Sequence, residues 1–226
     1  MPTDVWRNLR PDRRERVHTA AMAEFGARGF SAGSLNVIAR EAGVAKGSLF
    51  QYFEDKLDLF VAVCAEVTSR IRGHMEARMT EVLLADPSLP FFEFLARAAD
   101  EWIAYFADHP LERGVTAATN FELDPVARQT VRQVAQEHYL DVFRPLVAEG
   151  VRRGELRDDR ADIDALLALL VLVVPHLALS PHLPGLDPVL GMYGRTPAEL
   201  REPVRKLIRV VAAAYGPLPT PVGRVS

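Results

Sequence analysis

The chain of 226 residues has one cysteine, Cys64, so no internal disulfide can form. A lone thiol fits the reducing cytoplasm rather than a disulfide-stapled secreted fold. Metal-ligand spacing is missing too. His18, His74, His109, His138, His176 and His182 are scattered, with no H-x-x-x-H pair, so no metal site is expected. The longest unbroken apolar run, Ala165 to Pro175, has eleven residues, against the ~20 that span a bilayer. The opening, MPTDVWRNLRPDRRER, lacks the apolar stretch of a signal peptide. No membrane partner is expected. There is also no nucleophile elbow, no Gly-rich phosphate loop before a helix, and no pair of carboxylates in an apolar setting. Neither enzymatic activity nor a cofactor is expected, and there are no repeats or low-complexity segments.

What is present is the composition of a globular protein, 49% hydrophobic and 25% charged. The net charge of −3 is unevenly spread. Residues 1–53 hold eight Arg/Lys against five Asp/Glu, and the rest hold nineteen against twenty-five. An anionic partner such as DNA is therefore expected at the N-terminal end, because phosphate contact needs local positive charge rather than a basic whole chain.

The stretch SLNVIAREAGVAKGSLFQYFEDK, Ser34 to Lys56, supplies the reader. Leu35, Ile38, Ala39 and Ala42 recur at helical spacing. Gly43 falls where that helix must stop, since glycine takes the left-handed conformation of a C′ residue. A second helix over Lys46–Tyr52 follows, with Leu49 and Phe53 inward. Two short helices about a tight turn make a helix-turn-helix, whose second helix lies in the DNA major groove. Upstream, RRERVHTAAMAEFGARGFSAGS gives an amphipathic helix over Pro11–Gly29, with Val17, Ala20, Ala21, Phe25 and Phe30 as its packing surface. Over about residues 10–60 these stretches together resemble the N-terminal DNA-binding domain of the TetR family of transcriptional regulators.

At the start of the second short helix, Lys46 can donate to guanine O6 and N7, Ser48 can reach several base edges, and Gly47 lets the backbone come close. The resemblance implies base contacts at these positions and at Asn36, which could pair with adenine. It implies phosphate contacts at Ser34, Tyr52 and Lys56, which position the protein without reading sequence; Gln51 could do either. Two residues depart from the family pattern. Ala45 stands where Ser or Thr commonly caps the helix. Phe50 replaces a tyrosine that often reaches a phosphate, which leaves it to the core. Residues 1–9 read as a loose arm, disordered without DNA, from which Arg7 and Arg10 could enter the minor groove.

The expected fold is all-α: a three-helix helix-turn-helix domain with its arm over residues 1–54, then a helical ligand-binding and dimerisation domain over 55–226. A long helix from near Asp55 to about Leu84 joins them. Further helices are expected over Phe91–Asp108, from Pro110 to about Asn120, and from Pro125 to about Arg153 with a kink at Pro145. Two more are expected, from Asp162 to about Ser180 and from the capping-box signature Thr196-Pro197-Ala198-Glu199 onward. The helix after Asp162 is apolar nearly all round and must be covered on both sides. Pairing it with the last helix across a twofold axis predicts a homodimer through Leu170, Val174, Val204, Leu207 and Val211. Trp102, Tyr105, His138 and His176 are the polar-tipped candidates for a small, largely apolar ligand. The expected function is a repressor released from a near-palindromic operator by that ligand. The alternatives are a ligand-independent regulator with a filled core, and, less favoured, a helical small-molecule-binding protein or enzyme. A cavity of ~300 Å³ or more separates gating from a filled core.

Overall fold

The computed structural model describes residues 2–217 and, among them, helices without a strand. The helices are α1 (Asp4–Arg7), α2 (Pro11–Ala32), α3 (Leu35–Glu41), α4 (Lys46–Tyr52), α5 (Lys56–Ala85), α6 (Phe91–Asp108), α7 (Pro110–Phe121), α8 (Pro125–Arg152), α9 (Arg160–Leu179) and α10 (Pro197–Tyr215). Gly43 closes α3 at φ 65°, as the turn requires, and α4 begins after Ala45 with no side-chain cap. Asp55 caps α5 by accepting from the Asp58 N–H at 2.8 Å. Asp124 does the same for α8 through Ala127, also at 2.8 Å. At α10 the capping box is complete, with Thr196 and Glu199 bonded reciprocally.

One hydrophobic core runs from the N-terminal helices into the rest of the chain. Phe25, Ile38, Leu49 and Phe53 share it with Phe60 and Cys64 of α5, Phe106 of α6 and Val115 of α7. The α2–α7 contact is the most extensive between elements. Glycine makes it possible: a Cβ on Gly26 would meet the Gly114 backbone at 3.1 Å, and one on Gly114 would meet the Gly26 Cα at 3.0 Å. Side chains at either position would force the helices apart.

Two expectations need correction. Residues 3–9 are not a loose arm. Trp6 is 6% exposed, with ring centroids 4.7 Å from Phe53 and 5.4 Å from His18. Thr3 bonds the last carbonyls of α4, from its N–H to Tyr52 at 3.0 Å and from its hydroxyl to Gln51 at 2.7 Å. Burying a tryptophan favours order over disorder. Pro145 lies inside α8 and Pro175 inside α9, each helix running on past its proline. Finally, the eleven-residue apolar run understated α9: Asp162–Leu179, with mean hydropathy 2.1, is long and apolar enough to cross a membrane by length and composition. In the fold it packs against α6, α7 and α8.

Candidate functional site

The exposed face of the helix-turn-helix is built by α3 and α4. Asn36, Lys46, Gly47 and Gln51 are exposed there, and Ser34 and Ser48 are partly so. Lys46 has no ion pair or hydrogen bond among the described residues, so its charge is available to a ligand. A Cβ on Gly47 would meet nothing within 4 Å, so the backbone there is open to close approach. Phe50, expected in the core, is 50% exposed beside these residues. The reason is spacing: Leu49 and Phe53 take the inward face of α4, and Phe50 falls on the other.

Two expected phosphate anchors sit differently. Tyr52 is 3% exposed and its ring packs 5.8 Å from Trp6, so it serves the core rather than the open surface. Lys56 lies 4.5 Å over the Phe30 ring, and its ammonium donates to the carbonyls of Ser31 at 3.3 Å and Gly33 at 3.4 Å. Arg7 is tied to Asp4 at 2.7 Å and Arg10 to Asp12 at 3.1 Å, rather than hanging free.

Behind this face, Glu122 at the end of α7 is buried, and its carboxylate gathers four donors. It accepts from the Phe30 N–H at 2.7 Å and the Ser31 hydroxyl at 2.6 Å on the α2 side. It also accepts from the N–H groups of Leu123 at 3.0 Å and Asp124 at 2.9 Å. Burial alone would raise its pKa, but these bonds outweigh it and hold the group below the ordinary carboxylate value. A second tie runs through α5, where Arg70 pairs with Glu15 of α2 at 2.8 Å.

The other faces of α5 and α7, together with α6, α8, α9 and α10, line a partly open cavity of about 540 Å³. Cys64, Thr68, Ile71 and Met75 line it from α5, and Val115, Thr116, Thr119 and Asn120 from α7. Trp102 comes from α6, and Ala135, His138, Tyr139 and Phe143 from α8. The Trp102 indole donates to the Val174 carbonyl at 2.9 Å, which fixes its ring in the wall. Burial pushes the Cys64 thiol up to about 12, so it stays protonated and inert as a nucleophile.

Of the four ligand candidates, Trp102 and His138 line this cavity, and Tyr105 and His176 do not. Tyr105 lies one turn too far along α6. It stacks on His109 at 3.9 Å and approaches His74 at 4.7 Å, with its phenol pushed up to about 12 mainly by burial. His176 is exposed on the face it shares with Leu172, whose carbonyl accepts from its Nδ1 at 3.2 Å. Tyr139, Phe143, Thr116 and Asn120 were missed. The i, i+4 pairs Tyr139/Phe143 and Thr116/Asn120 were the available signal.

Most of the expected interface residues also line the cavity. Leu170, Val174, Leu207 and Val211 point into the cavity of their own chain. Val204 is 1% exposed, packed with Ile103, Met192 and Leu200. The outward faces belong to other residues: Ala165, Ala168, Leu172 and His176 on α9, and Ala213 and Ala214 on α10, with Val210 exposed at the edge of the cavity. Because α9 is apolar on every side, its sequence could not say which stripe faces inward.

Residues 18–63 match the family model described as bacterial regulatory proteins, tetR family. An uncharacterized HTH-type transcriptional regulator of Bacillus subtilis, YdgC, is 27% identical over 208 residues, covering 91% of this chain and 93% of its own. The solved structure of the multidrug binding protein EbrR, complexed with imidazole, matches with a TM-score of 0.58 and 25% identity over 94% of this chain and 99% of that one. That of the transcriptional regulator FadR from Bacillus subtilis, in complex with stearoyl-CoA, matches with a TM-score of 0.66 and 19% identity over 87% and 98%.

Proposed function

Because the chain belongs to the tetR family of bacterial regulatory proteins, we infer that it is a cytoplasmic, homodimeric repressor released from its operator by a ligand in the cavity. Residues 1–54 carry DNA reading, and residues 55–226 carry ligand binding and dimerisation. Lys46, Gly47, Ser48 and Asn36 face base edges, and Ser34, Gln51 and Lys56 approach phosphates. The dimer forms through the outward faces of α9 and α10. Leu172 is 63% exposed, and only 33% of the Asp162–Leu179 window is buried within one chain. A second copy covers these faces and supplies the second half-site reader.

The observation that carries the gated reading is that α5 and α7 each have two roles. Both line the cavity, and both grip α2, through Arg70–Glu15 and through Glu122. A ligand that moves either helix moves the α4 pair relative to the groove. Such coupling is typically worth ~1–3 kcal/mol. A volume of about 540 Å³, within the ~300–1,000 Å³ of small-molecule sites, supports gating over a filled core. Similarity to a multidrug binding protein and to a regulator in complex with stearoyl-CoA supports it further.

Fluorescence anisotropy tests this, using the DNA that flanks the chain's own gene across a salt series and then with a cavity ligand. Tight binding that survives excess competitor DNA and weakens on ligand addition is the expected outcome. Operator affinity unchanged at saturating ligand would overturn gating.

A further inference from the structure

We propose that the cavity is built for an uncharged amphiphile, an apolar body with one neutral hydrogen-bonding end, such as an alcohol, ketone or ester. The inference rests on the gated reading above and names the ligand chemistry of that same cavity.

The polar atoms that the wall leaves unpaired point to this chemistry. Tyr139 lies between Trp102 and Phe143, with ring centroids 6.1 and 6.0 Å away, and its hydroxyl has no hydrogen-bond partner among the described residues. Burial pushes its phenol up, so it remains a neutral donor at physiological pH. One residue earlier, the His138 Nδ1 lies 2.9 Å from the Val134 carbonyl. A carbonyl only accepts, so Nδ1 carries the proton and Nε2 is left without a protein partner. On the facing wall, the Asn120 amide donates to the Thr116 carbonyl at 2.8 Å, leaving its own oxygen free. A hydroxyl, an imidazole nitrogen and an amide oxygen are thus available.

Charge is confined to the rim. Arg72 and Glu76 are the charged residues among those lining the cavity. They pair with each other at 2.6 Å, and Asp141 stands 4.0 Å from the same guanidinium. A ligand carboxylate would have to displace Glu76 to reach Arg72, and a ligand ammonium would have to part Glu76 from Arg72. Carried deeper, either ion would lose its hydration with no counter-charge to replace it. A ketone or hydroxyl oxygen needs only the one or two donors and acceptors that Tyr139, His138 and Asn120 offer.

Isothermal titration calorimetry on the full-length protein decides the matter, with four ten-carbon probes at neutral pH. Decanol and methyl octyl ketone are neutral there, and decanoate and decylamine are ionised. The neutral pair should bind roughly tenfold or more tighter than the ionised pair, a ratio set by uncompensated desolvation. Tyr139→Phe should weaken the ketone roughly fivefold while leaving the melting temperature unchanged or raised. A variant that melts earlier yet binds the ketone as before would show that the hydroxyl is only structural, and would overturn its role. Decanoate binding as tightly as the ketone would overturn the proposal and leave gating standing. Ketone binding with no change in operator affinity would do the reverse. Binding by none of the four would overturn both.

Discussion

Glu122 holds its charge between two helices whose sequences give no hint of each other. Its partners Phe30 and Ser31 lie more than ninety positions away along the chain, so no local pattern could have marked it. Its contribution to stability depends on pH, with a definite sign. The folded pKa is depressed below 4.5, so the stabilisation is complete above the unfolded value and is lost as pH falls through the folded one. Glu122→Gln should therefore cost about 1–3 kcal/mol near neutrality. Urea unfolding should show the gap to the parent protein closing as pH falls below 4.5. The place of Lys46 at the start of α4, by contrast, was legible, because a helix-turn-helix fixes which residues open its second helix. Lys46→Ala should relax preference at one base position, costing about 1–3 kcal/mol at the preferred site. Lys56→Ala should weaken all sequences alike and lower the salt slope by about one. Anisotropy on matched and mismatched operators separates the two outcomes.

Among the elements, α5, α6 and α10 were readable from their periodicity, and two caps from residue type, at Asp124 and Thr196. The exception was α1. Four residues are too few to display a period or to nucleate a helix alone, and what orders them is the fit of Trp6 against Phe53 and His18. Trp6→Ala should lower stability by about 3 kcal/mol and weaken operator binding, because Thr3 and Trp6 brace the end of α4. A melting curve and an anisotropy titration on the same preparation check both effects. At the other end of α4 the missing cap invites an addition. Ala45→Ser should raise stability by about 1 kcal/mol, measured by chemical denaturation, without changing which bases are preferred.

For the whole molecule, the all-α class and the position of the DNA-reading end were legible, whereas the faces of α9 and α10 were not. An amphipathic helix declares its inward side, and α9 is apolar all round. Leu172→Glu, on the outward face, should give monomers by light scattering and lose operator affinity, since one reader contacts only half a site. Leu170→Glu should instead disturb the cavity, and a dimer that survives Leu172→Glu would place the interface elsewhere. The shared duty of α7 bears on how such a protein can change over generations. Thr116 and Asn120 line the cavity from a helix whose Gly114 and Glu122 clasp α2, so under the proposed gating a substitution there should alter ligand choice and operator response together. Tyr139 and Phe143 line the same cavity from α8, which carries none of those clasps. If the cavity gates DNA binding, new inducers should be acquired most readily along α8, where the pocket can be retuned while the grip on α2 stays as it is.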